Sequence, residues 1–520
     1  MQKLSWWKHA VIYEIYPRSF QDSNGDGIGD LNGILERLDY LVRLGVDAVW
    51  ISPIYPSPMA DFGYDVADYC NVDPIFGTLE TFHQLLSEVH RRGMKMILDF
   101  VPNHTSNQHP WFLESRSSRE SLKRDWYLWR NEPNNWLSNF GGSGWEYDET
   151  TGQYYYHSFL KEQPDLNWRN PAVKKTMFDV LRFWLRRGVD GFRVDVMWMM
   201  IKDDQFRDNP FNPGYRLGQP SNSRLLPLYN SDRAEVHELV SEMRSVVDEF
   251  PERVLIGEIY LPVQQLMTYY GRDLTGAHLP FNFLLLQCAW NAQSIAQVLS
   301  DYQRALPQGA WPNWVLGNHD NARIATRIGL RQARVAAMLL LTLPGTLTMY
   351  YGEEIGMTNA PISPDQVLDN AEKNEPGLGL GRDPERTPMP WDGSTTGGFT
   401  TGWPWLPLGD KHAIVNVAAM EQNSDSILHL YRKLIDLRRN RKSLVNAALS
   451  EVSTEKNVLR YMRVEEGERL LVLLNIGLDP ITLSIESGII LASTSLDRDG
   501  ERITSSVQIN AAEGLVIELD

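Results

Sequence analysis

The sequence predicts an α/β fold: a (β/α)8 TIM barrel with a small inserted domain after strand three and a C-terminal all-β sandwich domain. Three observations predict it. Short apolar runs alternate with amphipathic helical stretches, a long polar and aromatic stretch interrupts that alternation, and from about residue 446 closely spaced strand-like runs replace the helices. Repeated strand–helix units imply a parallel sheet with helical crossovers, and eight of them suggest closure. At 520 residues the chain is long enough for two or three domains.

Residues 10–16 read as the first strand. Across Leu31–Leu44, Leu31, Ile34, Leu35, Leu38, Leu41 and Val42 recur at helical spacing, and Gly45 ends the helix. Residues 48–52 form the second strand. Thr78 caps a helix over 79–92 that stops at Gly93. Residues 95–101 are almost continuously apolar, as expected of a strand buried on both faces. The stretch 104–169 is rich in Asn, Ser, Gly and Trp and too long for a structureless loop, so it is read as the inserted domain. Asn170 and Pro171 then supply a cap and a favoured first helical residue, and Gly188 ends that helix. Strands four to eight fall at 191–194, 254–257, 279–283, 314–317 and 347–350. The barrel thus takes residues 1–103 and 170–445, and the tail 446–520. In the tail, 458–463, 469–475, 481–485 and 515–519 alternate or run apolar. An open doubly wound sheet is the weaker rival. No Gly-rich phosphate loop follows a strand, because Gly141-Gly142-Ser143-Gly144 lies in the insertion.

Composition narrows the function. The net charge is −16 and no Lys/Arg run concentrates positive charge, which argues against a nucleic-acid partner. No run of about 20 apolar residues is present and the start, Met1 to Trp7, lacks an apolar signal core, so a cytoplasmic protein without a membrane partner is expected. Two cysteines, Cys70 and Cys288, make neither a disulfide framework nor a thiolate metal site and are expected as buried free thiols. The 17 Trp and 21 Tyr suit sugar rings, but barrel cores use such rings too.

Barrel enzymes build their sites at the C-terminal ends of strands. Here those ends carry Asp195 after Gly191-Phe192-Arg193-Val194, and Glu258 after Val254-Leu255-Ile256-Gly257. His319 and Asp320 follow Val315-Leu316-Gly317-Asn318, and Asn103-His104 follow Leu98-Asp99-Phe100-Val101-Pro102. A lone acid after an apolar run is ordinarily a helix cap or a solvated loop residue. Three carboxylates and two histidines at matching ends of four strands are not explained by capping.

These segments resemble the signature regions of glycoside hydrolase family 13, the α-amylase family. Asp99 to His104 looks like its first region, Gly191 to Asp195 the second, Gly257-Glu258 the third and Asn318-His319-Asp320 the fourth. Gln163-Pro164-Asp165-Leu166-Asn167 looks like the fifth. The resemblance implies a nucleophile at Asp195, a general acid/base at Glu258 and a transition-state stabiliser at Asp320. It further implies that His104 and His319 bond sugar hydroxyls, that Tyr64 stacks on the ring, and that Asp61 pairs with Arg382 to close the pocket. A retaining glycosidase needs two carboxyls about 5–5.5 Å apart, one ionised and one protonated. Arg193 projects to the same side of its strand as Asp195 and is expected to keep it ionised. Burial and neighbouring acids should hold the proton on Glu258.

The loop Asp22-Ser23-Asn24-Gly25-Asp26-Gly27-Ile28-Gly29-Asp30 spaces oxygen donors two apart, as hard cations require. Gly33 stands where a standard EF-hand has Glu, which excludes that motif. The resemblance implies a structural Ca²⁺ or Mg²⁺ on Asp22, Asn24, Asp26, Ile28 and Asp30, and no catalytic cofactor.

The stretch 61–65 resembles the exo-acting α-glucosidase and oligo-1,6-glucosidase branch. The implied activity is release of terminal α-linked glucose from short oligosaccharides. Valine after the nucleophile, Val196 here, goes with α-1,6 preference in that branch, yet the surrounding residues resemble members called simply α-glucosidases, so linkage stays open. Glucosyl transfer or isomerisation, as in trehalose synthases or sucrose isomerases, uses the same triad. A non-catalytic barrel subunit would have lost those residues and would carry a membrane anchor.

Overall fold

The structure, a computed structural model, describes residues 5–520. The barrel begins with β1 (Val11–Ile15), β2 (Ala48–Ile51) and β3 (Lys95–Phe100). The insertion supplies β4 (Trp129–Arg130), β5 (Trp145–Asp148) and β6 (Gln153–Tyr156), which pair antiparallel in the order β4-β6-β5. The barrel resumes with β7 (Gly191–Val194), β8 (Val254–Gly257), β9 (Leu279–Pro280), β10 (Asn313–Val315) and β11 (Thr346–Tyr350). All eight barrel strands run parallel in the order β10-β11-β1-β2-β3-β7-β8-β9. At the seam, Asn282 N donates to Asn313 Oδ1 at 3.1 Å, so the sheet is nearly closed.

Strand periodicity sorts the side chains. Ile12, Trp50, Ile97, Ile256 and Val315 pack together inside the barrel, while Val11, Tyr13, Val49, Leu98 and Phe192 join the cluster under the helices. Glu14, Asp99, Arg193, Asp195 and Glu258 continue the inward parity, so the alternation that fills the barrel also aims these charges at its mouth.

The expected helix ends are present. Thr78 Oγ1 accepts from Thr81 N at 3.2 Å, Asn170 Oδ1 accepts from Ala172 N at 2.9 Å, and Gly45 takes φ 97°. Three expectations change. The sixth strand keeps only two residues, because Pro280 has no N–H and Asn282 N is spent on Asn313. The seventh starts one residue early, at Asn313. Cys70 and Cys288 are free but only half-buried.

The tail forms β12 (Leu449–Glu455), β13 (Val458–Glu465), β14 (Glu468–Asn475), β15 (Ile481–Ser484), β16 (Gly488–Ser493), β17 (Arg502–Ile503), β18 (Ser506–Ile509) and β19 (Gly514–Leu519). Six make one sheet, β12-β13-β14-β19-β16-β17, and β15-β18 make a ribbon. One face of the sheet, with Leu471, Leu473 and Ile517, packs on Leu483 and Val507 of the ribbon. The other, with Leu459, Tyr461, Leu470 and Val472, joins the barrel's cluster. Among the described residues no helix is long and apolar enough to cross a membrane.

Candidate active site

The strand ends converge as expected. Asp61, Tyr64, His104, Asp195, Glu258, His319, Asp320 and Arg382 line one pocket of about 110 Å³, together with Phe140, Phe159 and Val196. Asp195 and Glu258 follow neighbouring strands, paired parallel with Val194 opposite Gly257. A Cβ at 257 would sit 2.5 Å from Met197 Sδ, so any larger residue there must push that side chain aside.

Arg193 organises the floor. Its Nη1 donates to Asp99 Oδ1 at 2.9 Å and to Asp195 Oδ1 at 2.8 Å. Its Nη2 lies 2.8 Å from Glu258 Oε2, an ion pair off the hydrogen-bond direction. One guanidinium therefore spans both carboxyls. Glu258 Oε2 also accepts from Val196 N at 2.8 Å. Val196 makes that bond in the left-handed region, φ 36° and ψ 47°. For a β-branched residue this conformation costs about 1–3 kcal/mol.

Burial raises the Asp195 carboxyl well above its ordinary range, with Glu258 and Asp99 adding to the rise and Arg193 opposing it. Burial raises Glu258 too, against Arg193 and with Asp320. Arg193 thus favours the ionised form of Asp195, as expected, but works against burial and two neighbouring acids. Its charge is divided among three buried carboxyls, Asp99, Asp195 and Glu258.

Asp320 differs. Burial pushes its carboxyl up, but the surrounding positive groups outweigh burial and hold it well below the usual range. Arg386 Nη2 donates to its Oδ1 at 2.7 Å and Arg382 Nη1 at 3.4 Å. His319 adds no full charge, because burial and the nearby arginines keep its ring neutral. Arg382 also donates to Asp61 Oδ1 at 2.7 Å and to Asp369 Oδ2 at 2.8 Å, and lies 4.5 Å from the Phe140 ring. The expected Asp61–Arg382 pair is thus formed, and Asp369 completes it.

His104 is neutral, burial lowering it to about 4. Its Nε2 lies 3.1 Å from Tyr64 O and 3.1 Å from Gln163 Nε2. Gln163 in turn donates to Asp61 Oδ2 at 3.0 Å, so the insertion reaches the pocket through that amide. Tyr64 is not a free platform. One ring face covers His319 at 5.3 Å, and its hydroxyl donates to Asp99 Oδ2 at 3.0 Å.

Sequence reasoning passed over Asp369, Arg386, Lys202, Phe140 and Phe159. Lys202 is buried, pairs with Asp165 and donates to Asn103 Oδ1 at 2.5 Å, clamping the insertion onto β3. Only the family's fifth region, around Asp165, hinted at it. The others lie in irregular segments without periodicity. The segment 203–232 also packs on the insertion, where Trp136 Nε1 donates to Arg207 O at 2.9 Å and Asn135 Nδ2 to Asn209 O at 2.8 Å.

The loop 22–30 is a string of Asx turns. Asp22 accepts from Asn24 N at 2.9 Å and Gly27 N at 2.8 Å, Asn24 from Asp26 N at 2.9 Å, and Asp26 from Ile28 N at 2.8 Å. Asp30 caps the next helix through Gly33 N at 2.8 Å. Among the described residues no three His, Cys, Asp or Glu side chains gather as a metal cluster. A cation here would need Asn24 and the Ile28 carbonyl beside the carboxylates.

Comparison with known proteins agrees with this geometry. The family described as alpha amylase, catalytic domain, matches residues 14–447. A probable alpha-glucosidase of Rhizobium meliloti is 42% identical over 90% of this chain and 89% of its own. An oligo-1,6-glucosidase of Heyndrickxia coagulans is 39% identical over 91% and 92%. Among solved structures, the alpha-glucosyl transfer enzyme XgtA superposes with TM-score 0.94 at 36% identity, covering 100% of both chains. The trehalulose synthase MutB of Pseudomonas mesoacidophila gives 0.91 at 33% over 100% of both. A barrel whose strand ends bring a carboxyl pair, a third acid and two histidines to one pocket, matched over most of its length, places this chain in the α-amylase family of glycoside hydrolases.

Proposed function

We propose that the protein is a retaining, exo-acting α-glucosidase that releases terminal α-linked glucose from short oligosaccharides. The observation that carries this is the pair Asp195 and Glu258, buried on adjacent strands, bridged by Arg193 and facing one pocket. In the reactive complex Glu258 holds a proton and gives it to the glycosidic oxygen as the Asp195 carboxylate attacks the anomeric carbon. The carbon–oxygen bond breaks, the aglycone leaves with that proton, and glucose stays esterified to Asp195. Glu258, now ionised, takes a proton from water, which attacks the same carbon and frees Asp195. Two inversions give net retention. Asp320, His104, His319, Asp61 and Arg382 grip the sugar hydroxyls, and Tyr64 offers its uncovered face to the ring. The Asp61–Arg382 pair lining the pocket, held by Asp369, supports exo attack, because a pocket barred by such a pair admits only a chain end.

The test is the product profile. Maltose, isomaltose, sucrose and trehalose, supplied separately, should yield free glucose, with α-glucose appearing first by NMR. β-Glucose first would remove the covalent step. Conversion of sucrose to an isomer without free hexose would favour the second reading, glucosyl transfer or isomerisation, which the likeness to XgtA and MutB supports.

The loop Asp22, Asn24, Asp26, Ile28 and Asp30 is proposed to hold a structural Ca²⁺ or Mg²⁺. Its all-oxygen donors suit a hard cation, and a chelator should lower the melting temperature, reversibly on adding the metal back. A cytoplasmic location is proposed on the two free cysteines.

A further inference from the structure

Beneath the pocket lies a buried acid that the mechanism above leaves unused. Glu14 sits on β1, fully buried, inside the barrel. Its Oε1 lies 2.5 Å from His319 Nδ1, and among the described residues its Oε2 has no hydrogen-bond partner. The other ring nitrogen, His319 Nε2, lies 3.2 Å from Asp320 Oδ2 and 2.8 Å from the Tyr64 hydroxyl. That hydroxyl lies 3.0 Å from Asp99 Oδ2.

These contacts force one arrangement of protons. Asp320 is ionised, so a bare Nε2 lone pair facing its oxygen would be repelled. Nε2 therefore carries the proton. It donates to the Tyr64 oxygen and stands beside Asp320, which leaves the Tyr64 proton for Asp99. A neutral ring with hydrogen on Nε2 has a lone pair on Nδ1. The contact between Nδ1 and Glu14 Oε1 is then a bond only if Glu14 supplies the hydrogen. The alternative, an imidazolium beside an ionised Glu14, places a second buried cation among Arg193, Arg382 and Arg386 and leaves a buried carboxylate oxygen unpaired.

We propose that Glu14 is a positioning residue: as a neutral carboxylic acid it donates its hydrogen to His319 Nδ1 and fixes the ring with Nε2–H facing the pocket. The groups facing Glu14 support its neutrality. Asp320 beyond β10, Asp99 on β3 and Glu353 beyond β11 oppose its charge, Arg193 on β7 favours it, and the neutral Tyr350 hydroxyl on β11 also faces it. Burial is the largest influence and acts in the same direction as the acids. The consequence for the reaction is a donor locked toward a sugar hydroxyl, in place of a ring free to present a lone pair there. This deepens the glucosidase reading and rests on it for the identity of the ligand.

The test is direct and does not need turnover. In protein labelled with ¹⁵N-histidine, the His319 signals, assigned by their loss in His319→Asn, should show a protonated Nε2 and an unprotonated Nδ1 at neutral pH. Hydrogen on Nδ1, or on both nitrogens, overturns the proposal. In kinetics with p-nitrophenyl α-glucoside, Glu14→Gln, whose amide can make the same donation, should keep KM within about twofold. Glu14→Leu, which leaves Nδ1 without a donor, should raise KM about tenfold with a smaller fall in kcat. An unchanged KM in Glu14→Leu overturns the proposal, and a melting curve establishes that the variant is folded. An inactive wild-type enzyme would instead count against the glucosidase reading, while the ¹⁵N signals would still decide where the His319 proton sits.

Discussion

Among the described residues Arg193 is the single cation against which Asp99, Asp195 and Glu258 are all placed, and replacing it with methionine tests that geometry most severely. The side chain is 1% exposed, and its contacts to the three carboxyls are 2.9, 2.8 and 2.8 Å. An arginine in contact favours a carboxylate's charged form by about 1.4–4 kcal/mol. Because the charge is shared three ways, the middle of that range applies to Asp195. Arg193→Met should therefore lower kcat about 10²-fold at neutral pH by leaving Asp195 protonated. The acid limb of the kcat profile should move to higher pH, since an unsupported carboxyl ionises later. Arg193→Lys should recover only part of the loss, because one ammonium cannot span two carboxyls as the fork does. The assay is kcat against pH with p-nitrophenyl α-glucoside, with circular-dichroism melting to confirm folding. A folded Arg193→Met enzyme within fivefold of wild type, with its acid limb unmoved, would refute the reasoning.

Further outcomes follow from the same site. Asp195→Ala should abolish turnover while leaving the melting temperature within a few degrees, and rates near wild type would disprove the nucleophile. Glu258→Gln should slow maltose cleavage by about 10²–10⁴ and activated aryl glucosides much less, and equal losses would count against an acid role. Burial holds Glu353 at about 8, with both carboxyl oxygens unpartnered among the described residues. That raised value stabilises the fold fully below the free carboxyl's range and is lost as pH climbs toward about 8. Glu353→Gln should flatten the fall in melting temperature between about pH 5 and pH 8, a fall worth about 4 kcal/mol at most, and a slope equal to wild type would refute the assignment.

What the sequence made legible is what periodicity encodes. The inward parity of β3, β7 and β8 placed Asp99, Arg193, Asp195 and Glu258 correctly, and helix caps at Thr78 and Asn170 came from residue chemistry. Asp369 and Arg386 were not legible, because 359–386 is mostly irregular and no repeat says which acid turns inward. Glu14 sat in plain view on β1, but only the short contact with His319 distinguishes it from any other polar strand residue. The division of Arg193's charge was also invisible, since a neighbour two residues away says nothing of acids arriving from β3 and β8.

The inner face of the six-stranded tail sheet has a practical consequence. Tyr461 bonds Thr342 through its hydroxyl at 2.5 Å, and Arg463 donates to the carbonyl oxygens of Leu444 at 2.9 Å and Ala447 at 2.7 Å. Leu459, Leu470 and Val472 beside them belong to the same oily layer as the helices Leu330–Thr342 and Ile427–Asn440. A chain cut before Leu449 would bare that oily layer to water, so the catalytic portion expressed alone should clump rather than work.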